Sequence, residues 1–506
     1  MGALSGRLIR SGNLFRTVAE YVEGLAWDMD YTSLRASQKK VFAHYFGPYP
    51  RSWSNETIST QQYESYFNNP NWTSNDYHLD GGLFRDRPLA RPQLTGDWLY
   101  QDSQWDIEQA MAAGIDGWVC DVLGLSGSNH DRYMKMVDVA HDLNNGFKVV
   151  PMIDMNGATR LASPEVAADA IRKYMLTGGA GSAPRRGAWQ LQDGRYVISA
   201  FKGEGPNPID VTSQAQWLQD LFSELETTWG LQIAYMPCYL NIGYASNPAF
   251  TPLHWGTGSW GFGADPAAIN AVSNQTAASK GRGEKAFAPV CVQDIRYGNG
   301  GPKYDEALNT GAQRAAWNKV ISENPDYIQL VTYNDFSETA IAPSAANGWT
   351  ILDIGTYFIT RWKTGQYPTI TRDVLYLSHR SQTLTATITG PQTNSDIQSS
   401  RAAVSTPRDH VEVLSFLTAP ATITVNTGAG TQTYSAPAGM YAWSYQCSPA
   451  NPNVISATAT RSSATIASIT SPVGHRTSDV SSDRGYYRFG SLRGTEGQFD
   501  VLSHYR

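Results

Sequence analysis

Eight short runs rich in β-branched and aromatic residues constrain the fold of this chain more than any other feature. They lie at residues 41–46, 114–122, 147–154, 196–201, 231–240, 259–263, 286–292 and 327–335. Segments with helical periodicity separate them, and this alternation is typical of β/α units that build a parallel sheet. Eight such units predict a (β/α)8 barrel, or TIM barrel, over residues 39–363.

Helix signals between these runs favour the same fold. After the second run, apolar residues recur at helical spacing at Tyr133, Met136, Val137 and Ala140. Ser163 followed by Pro164 has the pattern of a helix N-cap and a first helical residue. We therefore expect helices with one apolar face between the predicted strands.

A change in composition marks the end of the predicted barrel. Every lysine of the chain lies at or before Lys363, and short alternating runs of Thr, Ser, Val and Gly follow. Such runs predict antiparallel strands, so we expect a β-sandwich over residues 364–446. Residues 447–506 predict a further small β-rich module, and residues 1–38 predict an N-terminal docking segment.

Charge and hydropathy argue against several classes of function. The net charge is −6, with 39 basic against 45 acidic residues, which favours neither nucleic acid nor an anionic lipid surface as a partner. The start of the chain has no apolar region of the kind found in signal peptides, and no apolar run is long enough to span a bilayer. We therefore expect no signal peptide and no membrane insertion.

Motifs of common metal and nucleophile sites are missing from the sequence. Its four cysteines, Cys120, Cys238, Cys291 and Cys447, are isolated, and there is no H-x-x-x-H, H-E-x-x-H or C-x-x-C. The sequence has no usable G-x-S-x-G motif, which argues against a serine esterase. The sequence therefore predicts no metal and no cofactor.

Acidic residues that end barrel strands are the first candidates for chemistry, because the loops at those ends form the active face. They are Asp121, Asp154, Glu204, Asp294 and Asp335. Polar and aromatic candidates for contact with the substrate are His44, Tyr45, Trp118, Tyr239, Tyr333 and Asn334, with Trp255 and Trp260 at the same mouth. Carboxylates beside aromatic rings suit the hydroxyls and the apolar faces of sugars.

The stretch "VTYNDFSETA", residues 331–340, places Asp335 and Glu338 three positions apart at the end of the last run. Such a pair fits hydrolysis of a glycosidic bond, in which one carboxyl protonates the leaving oxygen and the other activates water or attacks C1. The alternative is a solvated loop in which Asp335 is a turn or cap residue. The residues alone leave both interpretations open.

Five motifs follow one another between residues 39 and 345. They are "KKVFAHYF", "WDIEQAMAAGIDGWVCDV", "YVISAFKGEG", "APV" with Asp294 and Tyr297, and "ENPDYIQLVTYNDFSETAIAP". In this order they resemble the motifs of glycoside hydrolase family 71, the endo-α-1,3-glucanases or mutanases. The resemblance implies an inverting hydrolase with Asp335 and Glu338 as its catalytic pair and the other acids as substrate ligands.

The last motif departs from the family pattern at three positions. Tyr333, Ser337 and Thr339 stand where the family usually has Trp, Gly and Ser. These changes bear on the shape of the sugar subsites more than on the acids themselves.

The wider organisation resembles a minor tail protein of an actinobacterial phage. The features are the unprocessed start, the short docking segment and the lysine-free C-terminal β region that ends in "RFGSLRGTEGQFDVLSHYR". The resemblance implies a location in the virion tail, contact with other tail proteins, assembly with further copies of the chain, and action on a polysaccharide of the host cell envelope.

We therefore predict a glycoside hydrolase that cleaves an α-glucan or another host envelope polysaccharide, with Glu338 as the acid and Asp335 as the group that activates water or stabilises the transition state. The main alternative is an inactive receptor-binding tail protein whose barrel grips glycan without cleaving it, because a fold alone does not guarantee activity. A third hypothesis is a cell-wall hydrolase that acts on peptidoglycan or arabinogalactan with the same two acids.

Overall fold

The computed structural model describes residues 18–49, 51, 86–89, 91, 94–261, 265–271, 273–296, 303–336, 339–389, 405–428, 430–447, 454–479, 483, 485–494 and 498. Several predictions lie outside these residues. They concern the role of Glu338, the motif residue Tyr297, the docking segment before Val18, and the last eight residues of the chain.

Eight parallel strands close into a barrel, which confirms the predicted (β/α)8 fold. The barrel strands are β1 Lys40–Tyr45, β2 Gly117–Val122, β3 Lys148–Asp154, β4 Tyr196–Phe201, β5 Ile233–Tyr239, β6 Gly256–Ser259, β7 Lys285–Cys291 and β8 Tyr327–Val331. Sequential neighbours pair around the barrel, and β8 closes it by pairing with β1. The sixth strand lies a few residues before the predicted run at 259–263.

Helices connect the barrel strands and flank the barrel. In the described part of the chain the α-helices are Val18–Glu23, Tyr31–Ala36, Trp98–Ala112, Ser128–Leu143, Ala158–Leu161, Pro164–Arg172, Val211–Trp229, Pro266–Ala271, Gln275–Gly281, Gly311–Glu323 and Thr350–Thr364. Short 3-10 helices are Ile242–Ser246 and Thr251–Leu253. The predicted stripe from Tyr133 to Ala140 is buried, and Ser163 is the N-cap of its helix. None of these helices has the length and apolar character needed to cross a membrane.

One apolar core lies inside the barrel wall and another outside it, because successive side chains of a strand point to opposite faces. Inside the barrel, Phe42, Val119, Val150, Val197, Met236 and Phe287 form one cluster. Outside it, strand residues such as Val41, Trp118 and Cys120 pack into a larger core with the helices. Both faces of each parallel strand are therefore buried, which explains the nearly continuous apolar runs of the sequence.

Antiparallel sheets follow the barrel, as the composition predicts. One four-stranded sheet has the order Gly439–Gln446, His410–Leu417, Val374–Arg380, Tyr486–Gly490, and a second has the order Thr431–Ala436, Ala421–Thr427, Ile455–Arg461, Ala464–Thr470. Gln382–Ile388 and Arg476–Asp479 form a parallel pair. Both four-stranded sheets contain strands from each side of residue 446, so the predicted boundary there falls between strands that share a sheet.

The two four-stranded sheets share one apolar core and together form the sandwich. The N-terminal segment from Val18 contacts both the barrel and this sandwich. The ring of Trp27 is buried between Tyr357 of the last barrel helix and Phe416 of the sandwich, at centroid distances of 5.0 and 5.3 Å. The Arg372 guanidinium donates hydrogen bonds to the carbonyl oxygens of Leu25 and Trp27, at 2.7 and 2.8 Å. These contacts fix the segment against two parts of the fold.

A buried ion pair joins the sandwich to the barrel. Arg380, at the end of Val374–Arg380, donates to Glu306, which lies between β7 and the helix Gly311–Glu323, at 2.5 Å. The hydroxyl groups of Tyr304 and Tyr486 each donate to the same carboxylate at 2.7 Å. Neither side chain of the ion pair is more than 1% exposed. The segment that follows β7 is thereby anchored to the sandwich.

Candidate active site

Alternation along the strands decides which predicted residues enter the barrel mouth. Phe42 belongs to the interior core, and His44, two positions later in β1, faces the same way. The same spacing places Asp121 of β2 and Asp154 of β3 on the interior side at the carboxyl ends of their strands. Three neighbouring strands thus deliver polar side chains to the face where (β/α)8 enzymes carry their active sites.

Three carboxyl groups meet at this face. Burial raises the pKa of Asp121 well above its ordinary value, and the charges of Asp154 and Asp335 raise it further. Oδ1 of Asp121 has no hydrogen-bond partner among the described residues, although the side chain is buried. Asp121 therefore holds its proton at pH values where an exposed aspartate is ionised.

Asp154 is held by the turn that follows β3. Its Oδ1 accepts a hydrogen bond from the backbone N–H of Asn156 at 2.8 Å. Burial raises its pKa, whereas the backbone N–H groups of Asn156 and Gly157 and the charge of Lys202 oppose this shift. Lys202 follows β4, and its Nζ is 3.3 Å from the side-chain oxygen of Asn156. Lys202 is not among the residues predicted for the site, although it directly follows the predicted strand 196–201.

Hydrogen bonds to β1 fix the backbone that carries Asp335. The N–H of Tyr333 donates to the carbonyl of His44 at 2.7 Å. The side chain of Asn334 accepts from the N–H of Phe46 at 2.8 Å and donates to its carbonyl at 2.9 Å. The N–H of Asp335 donates to Oγ1 of Thr332 at 3.0 Å, and its side chain is 8% exposed. The acid predicted to be catalytic therefore sits on a rigid support beside Asp121.

His44 is a buried, neutral imidazole at the same mouth. Burial lowers its pKa to about 3. Neither ring nitrogen has a hydrogen-bond partner in the described structure, and the ring lies 4.5 Å from the ring of Trp260. A neutral imidazole offers one donor and one acceptor, which suits a sugar hydroxyl.

The remaining acidic candidates occupy other parts of the barrel rim. Glu204 accepts hydrogen bonds from the N–H groups of Leu240 and Asn241, at 3.2 and 3.1 Å, so it fixes the loop that follows β5. Asp294 lies after β7, where its carbonyl accepts from the N–H of Asp305 at 2.9 Å. Neither is among the charges that shift the pKa of Asp121.

The aromatic candidates Tyr45, Trp118, Tyr239 and Tyr333 belong to the core outside the barrel wall. Trp118 is fully buried, and its ring lies 4.4 Å from that of Tyr333. The hydroxyl of Tyr45 donates to Asp106 at 2.8 Å, and that of Tyr239 is 2.8 Å from Nε2 of His254. Their predicted contact with substrate assumed that every strand-end ring faces the mouth, but alternation turns these rings toward the helices.

This arrangement suits hydrolysis of a bond between sugars. A buried site with one protonated carboxyl, further carboxyls and a neutral imidazole provides hydrogen bonds for hydroxyl groups and charge for an oxocarbenium-like transition state. Among the described residues, no group of three or more His, Cys, Asp or Glu side chains is placed to hold a metal ion.

Comparison with known proteins assigns the chain to a family. The model of glycosyl hydrolase family 71 matches residues 93–496, most of the chain. The chain belongs to glycoside hydrolase family 71. It is therefore a glycoside hydrolase, and the family predicted from the motifs is confirmed.

Two curated relatives of this family 71 hydrolase come from Schizosaccharomyces pombe. Glucan endo-1,3-alpha-glucosidase agn1 is 24% identical over 367 residues, which cover 67% of this chain and 80% of that protein. Ascus wall endo-1,3-alpha-glucanase is 24% identical over 256 residues, which cover 50% of this chain and 56% of that protein.

Solved structures of other glycoside hydrolases also align with the chain. The GH99 endo-alpha-mannosidase from Bacteroides thetaiotaomicron aligns over 64% of this chain and 97% of its own, with 13% identity and a TM-score of 0.42. A Cellulomonas fimi endo-beta-1,4-mannanase double mutant aligns over 89% of this chain and 99% of its own, with 10% identity and a TM-score of 0.33.

The raised pKa of Asp121 makes the stability of this family 71 hydrolase depend on pH. The unfolded chain releases this proton near pH 4, whereas the folded chain keeps it to higher pH. Above about pH 4 the folded state binds more protons, so stability falls as pH rises toward the folded-state pKa. Asp121→Asn removes this loss, so we expect its melting temperature relative to wild type to rise from pH 4 to pH 7. A difference between the two melting temperatures that stays constant from pH 4 to pH 7 would contradict the raised pKa of Asp121.

Proposed function

We propose that this hydrolase cleaves an α-glucan, or another polysaccharide of a bacterial cell envelope, with inversion of the anomeric carbon and with Asp335 and Glu338 as its catalytic pair. The observation that carries the proposal is the position of Asp335, held by β1 and set beside Asp121 at the carboxyl end of the barrel. The motif that contains it is the most specific of the five motifs that resemble the family.

In the proposed reaction, Asp335 takes a proton from a water molecule as the water oxygen bonds to C1. The bond from C1 to the leaving oxygen breaks, and Glu338 donates its proton to that oxygen. Inversion requires room for the water, with carboxyl groups about 6.5–9.5 Å apart. Asp121 enters this scheme protonated, as a hydrogen-bond donor to a sugar hydroxyl or to a neighbouring carboxylate.

The departures from the family motif are compatible with this role. Tyr333 replaces the usual Trp, but its ring lies in the core outside the barrel wall, where its hydroxyl accepts a hydrogen bond from Gln109 at 2.8 Å. This replacement changes the packing outside the barrel wall and does not change the carboxyl groups at the barrel mouth. Ser337 lies outside the described residues.

An α-1,3-linked glucan is the first substrate to test, because both curated relatives carry that linkage in their names. We further propose that the enzyme is a component of a virion tail, where it contacts other tail proteins and further copies of itself and meets host envelope glycan. The lysine-free composition after Lys363 supports this placement. Detection of the chain by mass spectrometry in purified particles tests it, and its absence from particles would contradict it.

Reducing-end release from a panel of glycans tests the proposed activity. The panel contains α-1,3-glucan, α-1,4-glucan, peptidoglycan, arabinogalactan and purified actinobacterial envelope polysaccharide. We expect release from an α-linked glucan or an envelope polysaccharide. Binding to a glycan without release from any member would instead identify a receptor-binding protein.

A further inference from the structure

A row of aromatic rings lies on the C-terminal sandwich, away from the barrel mouth. Tyr441, Trp443 and Tyr445 alternate along Gly439–Gln446, the edge strand of the first sheet, and Tyr434 lies on Thr431–Ala436, the edge strand of the second. We call these four residues the aromatic row. The two edge strands follow one another in the chain, so the row lies where the two sheets meet.

The rings of the aromatic row stack on one another. The rings of Tyr434 and Trp443 are 4.4 Å apart at an interplanar angle of 14°, and those of Trp443 and Tyr445 are 5.6 Å apart at 9°. Tyr434 also contacts Tyr441, at 6.3 Å. Trp443 and Tyr434 are half-buried and pack against the sandwich core. The inner pair therefore holds the outer rings in fixed orientations.

The outer rings of the row are open to solvent. Tyr441 is 38% exposed and Tyr445 is 39% exposed. Met440 and Ala442 alternate with the rings along the strand. Their side chains lie on its opposite side and pack against the main core. The strand thus uses one side to fix itself to the protein and presents aromatic surface on the other.

The two strands that carry the row contain no charged residue. From Val413 to Thr460 the chain contains no Asp, Glu, Lys, Arg or His. Thr431, Thr433 and Ser435 alternate with Tyr434 along its strand and therefore lie on the opposite face of that sheet. Flat aromatic rings on strands without charged residues match the apolar faces of an uncharged sugar.

One end of the aromatic row lies nearer the catalytic face than the other. Gln446, next to Tyr445, pairs with His410, whose carbonyl accepts a hydrogen bond from Asn309 at 3.0 Å. Asn309 lies between β7 and the helix Gly311–Glu323, in the connection at the carboxyl end of the barrel. The Tyr445 end of the row is therefore the end nearer the barrel mouth.

We propose that the aromatic row is a second glycan-binding site, which holds an uncharged polysaccharide chain by stacking on Tyr441 and Tyr445. Its role is to keep an extended substrate against the protein while the barrel acts on another part of the same chain. The site is separate from the barrel, and its binding does not depend on Asp335 or Glu338.

The test measures binding to insoluble α-1,3-glucan and, in parallel, to purified actinobacterial envelope polysaccharide, by depletion of protein from solution. All proteins carry Asp335→Asn so that the glycan stays intact. We expect Tyr441→Ala combined with Tyr445→Ala to weaken binding about tenfold, because two stacking faces are lost. Tyr441→Phe combined with Tyr445→Phe keeps both rings and is expected to bind like the parent.

Tyr367→Ala is the matched control, because Tyr367 is 43% exposed and stacks on Tyr357 outside the row. It is expected to leave binding unchanged. Unchanged binding in the double Ala variant, or no binding of the parent to either glycan, would overturn the proposal. Loss of self-association in the double Ala variant, with glycan binding retained, would mark the row as a contact between copies. Hydrolysis of short soluble oligosaccharides, measured with Asp335 restored, reports separately on the barrel.

Discussion

Replacing Asp335 by Asn is expected to lower kcat by about a thousandfold without unfolding the protein. The substitution keeps the size of the side chain but removes the group that accepts a proton from water, and proton transfer of this kind contributes about 10²–10⁴-fold to rate. The backbone hydrogen bonds that hold the residue are unaffected, since they involve its N–H and the side chain of Asn334. The measurement is initial reducing-end release on the best glycan of the panel, with Glu338→Gln as the companion variant.

Asp326→Asn is the matched control for this experiment. Asp326 lies just before β8, at the opposite end from Asp335, where it accepts hydrogen bonds from Lys285 and from the N–H of Ala286. The same chemical change there leaves the mouth untouched, so kcat is expected to stay near that of wild type. Comparable activity in Asp335→Asn and wild type would show that Asp335 takes no part in the reaction.

Replacing Glu306 by Gln is expected to lower the free energy of unfolding by roughly 3 kcal/mol. Removing one partner of a buried ion pair leaves the other charge without compensation in a medium that solvates it poorly. Arg380 is fully buried, and its next carboxylate, Asp409, is 3.9 Å away, a weaker contact than the 2.5 Å contact with Glu306. Urea unfolding followed by tryptophan fluorescence measures the change.

The exposed pair of Arg195 and Asp193 provides the comparison. Its atoms are 2.7 Å apart, but both side chains are open to solvent, so Asp193→Asn is expected to leave the unfolding midpoint unchanged. Equal midpoints for Glu306→Gln and wild type would show that the pair does not hold the sandwich on the barrel.

The barrel is predictable from the sequence because its strands are buried on both faces. Each run therefore stays apolar along its length, and the helices between runs show their own period. The sixth strand is the exception, since Gly256 and Gly258 leave Thr257 as its one β-branched residue. The pairing of the C-terminal strands is harder to predict, because alternating Thr and Val residues identify a strand without identifying its partner.

The structure brings three of the predicted acids together and places several of the predicted aromatic rings in the outer core. Asp121, Asp154 and Asp335 come together because each follows or ends a barrel strand. Tyr45 ends β1 but stands one position away from the interior side chain His44, and Trp118, the second residue of β2, stands one position away from the interior side chain Val119. A shift of one residue along a strand reverses the direction of a side chain, so a position near a strand end is not enough to place a ring in the mouth.

The measurement that tests the central claim most directly is proton NMR of the first product released from α-linked glycan. Hydrolysis by the proposed pair adds water from the face opposite the leaving oxygen, so the new reducing end must appear first as the β-anomer and then mutarotate. Early release of the α-anomer would contradict the proposed inversion. No new anomeric signal from any glycan, with binding retained, would contradict the catalytic role of Asp335 altogether.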